Sequence, residues 1–432
     1  MLRQLRCFAA GVLKADKVSA YHGNKTTLKV TPHGCYFFGT KAIINFMRSQ
    51  RRFSEDIIDY IKWRGDIKIT EEYSINEADY LILARIAYFP FQHIALAPRE
   101  SVKSFSDKML ALRRNYFNIA GDHDMVVAIS QAPRYQNIIV TDYVNRSDRK
   151  VEKQFGAATI HLPNNEICVS YLGTDATLVG WKEDFNMTFI STIPSQEMAL
   201  EYLERIAAKY PNHKIRVCGH SKGGNIAVFA ALSAKPELQK RIIDVINFDG
   251  PGFVPDFVRV KFHRSAEMLA KVHNYIPQGS MIGRLLQQDG DRTVVFSRED
   301  GLYQHDIYSW QISGTEIVRA AKTSDSSEIF NQATIDLLKA RSLEERRIFI
   351  NTVYDIICGA DFSTMDDLRS SWLKKLPNLI KSYRDVKPED RDLVLKIVRQ
   401  IISLYFGTRR QYLDNKKPTR RQKSRAIKAN KK

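Results

Sequence analysis

Cysteine is scarce in this 432-residue sequence. The five cysteines are scattered, and no two of them form a CxxC pair: Cys7, Cys35, Cys168, Cys218 and Cys358. An odd, dispersed set argues against a disulfide framework and against a cysteine-based zinc site. The predicted location is therefore a reducing compartment, the cytoplasm.

Long apolar runs are also missing. No stretch reaches the roughly 18 residues that a membrane-spanning helix requires. The N-terminal sequence MLRQLRCFAAGVLK (1–14) has basic residues and an apolar stretch of about seven residues, but no convincing A-x-A cleavage site follows. We therefore expect neither a membrane span nor a secretion signal.

Two kinds of ligand site lack their usual sequence patterns. The ten histidines show no HExxH or other metal-ligand spacing, and there is no glycine-rich phosphate loop. The sequence therefore predicts no metal and no cofactor.

Positive charge is abundant, but it is concentrated at one end. Residues 409–432 contain eleven Lys/Arg and one acidic residue, so they carry +10 of the net charge of +18. Such a run is typical of a disordered, solvated tail, and attraction to an anionic membrane surface is a second interpretation. Nucleic-acid binding is disfavoured, because Tyr412 is the tail's one aromatic residue and no recognition fold is apparent.

The apolar periodicity divides the chain into four parts. Residues 1–50 show no clean period and stay unassigned. Residues 51–314 alternate strand-like runs with helical patterns, which predicts an α/β domain with a mostly parallel sheet. Residues 315–408 read as helical, and 409–432 form the basic tail.

Individual elements follow from the same patterns. Predicted helices cover 54–65 (with Ser54 as N-cap), 76–89, 101–117, 197–210, 224–234, 342–357 and 392–406. Predicted strands cover 137–144, 157–162, 166–172, 214–218, 242–248 and 291–297, with a further strand after a helix end within 268–276. A hairpin turn is expected at Pro163-Asn164-Asn165.

The strongest chemical signal is GHSKGG (219–224). It lies between a predicted strand, KIRVC, and a predicted helix, GNIAVFAALSA, which is the context of a G-x-S-x-G nucleophile elbow. Glycines are needed there because bulky side chains would clash in the sharp strand-to-helix turn. The motif predicts Ser221 as a nucleophile; the alternative is a small-residue turn that lets the helix pack close to the sheet.

An oxyanion hole needs two hydrogen-bond donors. One is the amide of the residue after the nucleophile, Lys222. The other usually follows an earlier strand, and here Gly173-Thr174 follows the strand 166–172, so that Thr174 can offer its amide and its hydroxyl. A plain strand-ending turn is the alternative.

A base and an acid should follow the nucleophile in the order Ser, acid, His. Three histidines follow Ser221, and His305 is favoured over His263 and His273 because it lies in a polar loop after the last predicted strand. Asp249 directly follows the strand 242–248 and is the preferred acid. Its competitors are Asp256, Asp289 and Asp291, and an Asx turn would explain Asp249 without any catalytic role.

Four sequence blocks carry a resemblance: GTDATLVGWKEDFNM (173–187), GHSKGGNIAVFAA (219–231), NFDGPGF (247–253) and QHDIYSW (304–310). They resemble an uncharacterised, mainly Gram-positive bacterial family of lipase-like α/β-hydrolases related to the class-3 lipases. The resemblance covers about residues 76–312, and it implies an α/β-hydrolase fold without implying a substrate.

The same resemblance implies roles for particular residues. Ser221 would be the nucleophile, His305 the base, and Thr174 the oxyanion residue, in a Gly-Thr followed by Trp181 and Asp184.

Two positions depart from the lipase pattern. Class-3 lipases place the acid just after the strand that here reads VHNYIP, where this chain has Gln278-Gly279-Ser280. Either the acid has moved to Asp249, or the triad is incomplete. Lys222 stands where lipases usually carry Leu.

Two functions of different classes follow. The first is a serine hydrolase that cleaves a small-molecule or lipid ester through an acyl-enzyme on Ser221. The second is a catalytically incomplete scaffold that acts as a binding or membrane-surface module.

Overall fold

The computed structural model describes residues 56–416, except 118, 149–152, 175–177, 263–265, 288–289, 363–366, 368–370 and 372. The N-terminal segment 1–50, His263, Asp289 and most of the basic tail therefore lie outside the described residues.

One sheet of eight strands forms the centre of the molecule, in the spatial order β1 to β8. Strands β1 to β4 pair antiparallel, and β4 to β8 pair parallel. The strands are β1 Glu100–Ser101, β2 Ile139–Asp148, β3 Lys153–Leu162, β4 Glu166–Tyr171, β5 Lys214–His220, β6 Ile242–Phe248, β7 Val272–Pro277 and β8 Arg292–Val295. A separate two-stranded ladder joins β9 Ile312–Ser313 to β10 Glu316–Ile317.

Helices cover both faces of this sheet. Those of eight or more residues in the described part of the chain are α1 Ile57–Arg64, α2 Glu77–Ile86, α3 Val102–Leu110, α4 Ala120–Gln131, α5 Leu178–Asn186, α6 Pro194–Lys209, α7 Lys222–Ser233, α8 Asp325–Lys339, α9 Leu343–Gly359, α10 Leu376–Asp385 and α11 Pro388–Lys416. Shorter helical turns include a π-helical turn at Val258–Phe262.

Successive side chains of the central strands enter two separate cores. In β4, Cys168 packs into the core beneath α1 to α4, whereas Ile167 and Val169 pack against α6 and α7. This period of two is the signature of a strand buried on both faces. The mostly parallel sheet with helices on both faces confirms the predicted α/β-hydrolase fold class.

The predicted hairpin between β3 and β4 is also confirmed. Leu162 pairs with Glu166, and the turn places Asn164 and Asn165 at φ of 65° and 56°. Asparagine tolerates this left-handed conformation better than most residues because its short polar side chain can bond to the local backbone.

Several predicted boundaries were wrong. Helix α1 is capped by Asp56, whose carboxylate accepts the amides of Ile58 and Asp59, rather than by Ser54. The helix expected over 101–117 ends at Leu110. Pairing also continues past residue 314, because β10 lies at 316–317 and the amide of residue 320 donates to the β8 backbone.

The C-terminal region is helical from Asp325 onwards. The predicted capping box at the start of α9 is present, with Ser342 accepting the amide of Glu345 and the Glu345 carboxylate accepting the amide of Ser342. Helix α11 continues to Lys416, so the first eight residues of the segment expected to be disordered are helical. Among the described residues, no helix is both long and apolar enough to cross a membrane.

Candidate active site

A strained turn follows the central strand β5. Ser221 adopts φ 58° and ψ −133°, between the last residue of β5 and the first residue of α7. Its amide donates to the carbonyl oxygen of Phe248 at 2.9 Å, which ties the turn to the neighbouring strand. A Cβ at Gly219 would overlap the backbone of Gly223, so only glycine fits there. A non-glycine residue at positive φ is costly, and such strain clusters at functional sites. The predicted strand-turn-helix context of Ser221 is present.

The predicted base and acid meet at the carboxyl end of the sheet. His305 Nδ1 lies 2.6 Å from the Oδ2 of Asp249. Asp249 follows β6 and is buried, and its amide donates to the carbonyl of Tyr275 at 2.8 Å. The His305 side chain is 25% exposed. This pairing gives the imidazole a fixed orientation, with the proton of Nδ1 directed at the carboxylate.

Two of the competing candidates, His273 and Asp291, have described side chains. His273 Nε2 lies 3.6 Å from Asp244 Oδ1, and the His273 side chain is nearly half exposed. Asp291 is exposed. Of the histidines described after position 221, His305 is therefore the one beside the Ser221 turn.

Ser221 and His305 share no hydrogen bond among those that the described residues make. The His305 ring instead lies against the ring of His220, with centroids 4.5 Å apart and planes tilted by 35°. Nucleophile–base hydrogen bonds are often long before substrate binds and tighten in the complex.

His220 itself is part of a buried network that the sequence reasoning missed. Its Nε2–H donates to the carbonyl of His305 at 2.8 Å, and the hydroxyl of Tyr88 donates to the His220 carbonyl at 3.1 Å. The guanidinium of Arg85 lies 3.9 Å from the centre of the Tyr88 ring and pairs with Asp122. Burial first, and then the charge of His305, lower the pKa of His220 well below its usual value. The ring therefore stays neutral and is a hydrogen-bond donor that supports the histidine loop.

The predicted oxyanion segment lies against the nucleophile. A Cβ added to Gly173 would lie 3.2 Å from the Cβ of Ser221 and would overlap the His220 carbonyl oxygen, so glycine allows this close approach. Thr174 follows, and its hydroxyl donates to Asp184 Oδ2 on α5. Burial raises the pKa of Asp184 to about 6.

Lys222 contributes more than the amide that the sequence predicted. As the first residue of α7, it has an amide without a partner inside the helix. Its side chain is fully buried: Nζ lies 2.8 Å from Glu183 Oε2, 2.8 Å from Gln154 Oε1 and 3.0 Å from the Gln154 carbonyl. Glu183 is also fully buried and accepts the amides of Gln154 and Ser195 at 3.1 Å each. The residue after the nucleophile is thus tied to α5, the helix whose Asp184 holds Thr174.

The described part of the chain contains no group of three or more His, Cys, Asp or Glu side chains arranged to hold a metal ion.

Solved structures that are similar to this chain include lipases. Lipase II from Rhizopus niveus is 14% identical, with 44% of this chain and 74% of that chain covered at a TM-score of 0.30. M37 lipase is 15% identical, with 50% and 70% covered at a TM-score of 0.32. Lip2 lipase from Yarrowia lipolytica is 11% identical, with 51% and 80% covered at a TM-score of 0.29. A search of curated protein sequences found no match.

A sequence-family model matches the part of the chain that contains the candidate site. The sequence model of the Mbeg1-like family matches residues 129–355, more than half of the chain. That range contains Thr174, Ser221, Asp249 and His305, and it extends through β8 into α9. The chain belongs to the Mbeg1-like family.

Proposed function

We propose that this chain is a serine hydrolase that cleaves esters through an acyl-enzyme on Ser221. The observation that carries the proposal is the 2.6 Å contact between His305 Nδ1 and the buried carboxylate of Asp249, beside the strained turn that bears Ser221. A nucleophile, a base and a group that orients the base are the three parts that nucleophilic catalysis requires.

The proposed reaction has two halves. His305 Nε2 takes the proton of the Ser221 hydroxyl as Oγ attacks the acyl carbon, and the amides of Thr174 and Lys222 stabilise the oxyanion. The alcohol leaves with the proton from His305, and the acyl group stays on Oγ. His305 then deprotonates a water, which attacks the acyl carbon; the bond to Oγ breaks as His305 returns the proton to Ser221 Oγ, and the carboxylic acid is released. Asp249 stabilises the imidazolium in both halves.

Exposed apolar side chains near the site favour an ester with an apolar acyl chain. Leu302 and Tyr303 lie three and two positions before His305, in the same 3-10 helical turn, and are 61% and 45% exposed; Phe185, next to Asp184, is 48% exposed. These side chains offer exposed apolar surface on the segments that carry His305 and Asp184, which supports a lipid ester or another apolar ester as substrate.

Covalent labelling tests the nucleophile. A fluorophosphonate probe should label the wild type and not Ser221→Ala. Ser106→Ala is a matched control, because Ser106 is buried and its hydroxyl has no hydrogen-bond partner among the described residues. Asp249→Asn should lower the rate of p-nitrophenyl butyrate hydrolysis by about 10⁴-fold, because the imidazole would lose its correct tautomer. Equal labelling of the wild type and Ser221→Ala would refute the proposal.

The second candidate function is a scaffold without turnover. It is favoured by one observation, the missing hydrogen bond between Ser221 and His305 in the described structure. A scaffold would show neither labelling nor hydrolysis of short esters in the wild type, whereas the proposed hydrolase shows both.

We also propose that the basic C-terminal tail attracts the protein to anionic membranes. Residues 417–432 contain eight Lys/Arg and no acid, and each basic residue near such a surface adds about 1 kcal/mol. Deleting 417–432 keeps α11 intact, including the Tyr412 hydroxyl that donates to Asp325. The deletion should weaken sedimentation with phosphatidylserine vesicles at low salt, and should not change sedimentation with neutral phosphatidylcholine vesicles. If the truncated protein binds the anionic vesicles as well as the full chain does, the tail is not what attracts the protein to the membrane.

A further inference from the structure

The acid of the proposed triad has a second set of contacts, on the oxygen that faces away from His305. Ser280 Oγ donates to Asp249 Oδ1 at 2.5 Å, and the amide of Gly283 donates to the same oxygen at 3.2 Å. Ser280 and Asp249 are both almost completely buried. Two donors on Oδ1 leave Oδ2 for the histidine, so they fix the rotation of the carboxylate as well as its position.

The loop that supplies these donors is held in turn by the first turn of α8. The Ser327 hydroxyl donates to the carbonyl of Ser280 at 2.5 Å, and the amide of Ser324 donates to the carbonyl of Gln278 at 2.5 Å. Ser327 is fully buried. Arg284, at the far end of the loop, pairs with Glu328 at 2.7 Å.

We propose that Ser280 and Ser327 are positioning residues that connect the C-terminal helical region to the acid of the triad. The connection runs from Ser327 Oγ to the Ser280 carbonyl, and from Ser280 Oγ to Asp249. It rests on the proposed function, because positioning Asp249 matters for turnover only if His305 is the base. The consequence is that α8 is part of the support of the active site rather than a separate appendage.

The physical basis is the geometry that a triad acid must keep. A buried carboxylate that lost the shorter of its two hydrogen bonds on Oδ1 could rotate more freely about its terminal bond, and its contact with His305 Nδ1 would weaken. Supports of this kind hold catalytic groups within fractions of an ångström of the productive arrangement. The loop 278–284 supplies that support here, with its own position set by α8.

Kinetics test the connection at its central residue. Ser280→Ala should lower kcat by about 10- to 100-fold, the range expected for a buried hydrogen bond to a charged group, and change KM by less than about twofold. Thr159→Val is the matched control. It removes a buried hydroxyl that bonds to Tyr202 at 2.8 Å within the described structure and has no link to the site, so kcat should stay within about twofold. Equal effects of the two substitutions on kcat would overturn the proposal.

A double-mutant cycle separates positioning from a general structural effect. If Ser280 acts through Asp249, adding Ser280→Ala to Asp249→Asn should lower the rate of fluorophosphonate labelling by less than about twofold. If Ser280→Ala lowers the labelling rate by the same factor in the wild type and in Asp249→Asn, the Ser280 hydroxyl acts elsewhere, and the proposal is wrong.

A spectroscopic readout tests the same connection without turnover. The proton that His305 Nδ1 shares with Asp249 should give a far-downfield proton resonance that is absent from Asp249→Asn. Ser280→Ala and Ser327→Ala should shift or broaden this signal, and Thr159→Val should leave it unchanged. An unshifted signal in Ser280→Ala overturns the positioning role whatever the activity. Absence of labelling and turnover in the wild type, with a signal that does respond to Ser280→Ala, would instead refute the hydrolase and keep the contact.

Discussion

The buried ion pair behind the nucleophile allows a quantitative prediction. Lys222→Met removes the ammonium group that contacts Glu183 and Gln154, while methionine roughly keeps the volume of the side chain. Both charged side chains are fully buried, so water cannot replace the lost partner. The substitution leaves a carboxylate in the interior without its counter-charge.

The magnitude follows from the groups that stay behind. Breaking a buried ion pair by removing one partner costs about 3–5 kcal/mol of unfolding free energy. The amides of Gln154 and Ser195 still donate to Glu183, so the lower part of that range is expected. The double variant Lys222→Met/Glu183→Gln removes the charge but keeps one carbonyl acceptor for these amides. We expect it to cost about 2 kcal/mol and to be more stable than the single variant.

Urea unfolding followed by circular dichroism measures these differences. The matched control is Lys103→Met, because Lys103 and Asp107 form a pair of similar length, 2.7 Å, with side chains 52% and 56% exposed. An exposed pair of this kind contributes about 0.5 kcal/mol or less. The comparison therefore isolates burial, since the distances are nearly equal.

Two results would refute the reasoning. One is a cost for Lys222→Met of less than about 1 kcal/mol, equal to that of Lys103→Met, because burial would then have no effect on the pair. The other is a double variant that is less stable than Lys222→Met, because neutralising Glu183 would then have brought no relief.

Three further predictions concern the same structure. Asp184 has a pKa raised to about 6 by burial, so the folded state holds its proton more tightly than the unfolded state, and stability falls as pH rises from about 4 to 6. The fall in unfolding free energy, measured by urea titration, should be up to about 3 kcal/mol larger in the wild type than in Asp184→Asn. The same pH dependence in both proteins would contradict this prediction. His220→Phe removes the donor to the histidine loop and should lower kcat about tenfold with little change in KM, whereas unchanged kcat would show that the network has no positioning role. Burial raises the pKa of the Cys168 thiol, so brief treatment of the native protein with iodoacetamide should modify the exposed Cys358 and spare Cys168. Mass spectrometry would identify the modified cysteines. Modification of both would contradict the prediction and indicate that the sheet opens.

Local patterns predicted the elements that bring the candidate site together. The strand-turn-helix around Ser221 needs only neighbouring residues, namely apolar β-formers, small residues at the turn and a helical period after it. The placements of Asp249 after β6 and of His305 in the last loop follow from strand ends, because the carboxyl ends of parallel strands share one edge of the sheet. In the structure, His305 Nδ1 and Asp249 Oδ2 lie 2.6 Å apart.

Contacts between distant segments could not be read in this way. Lys222 carries a buried charge that satisfies Glu183, a residue 39 positions earlier, and nothing in either local sequence distinguishes that charge from a surface one. Ser280 looked like the place of a missing acid, and the structure shows its hydroxyl bonded to an acid 31 positions earlier. Helices α4 and α5 were not predicted, and α8 and α10 were predicted only as part of the helical region 315–408.

What the sequence by itself determined is the α/β architecture and the position of each candidate group on a strand end, a turn or a loop, because these depend on periodicity and turn chemistry over a few residues. What only the tertiary structure decided is which buried polar groups satisfy one another. Burying a charge or a hydroxyl is costly without a partner, and that partner is chosen by the packing of the sheet and helices rather than by distance along the chain. The support of Asp249 by α8 belongs to this second class.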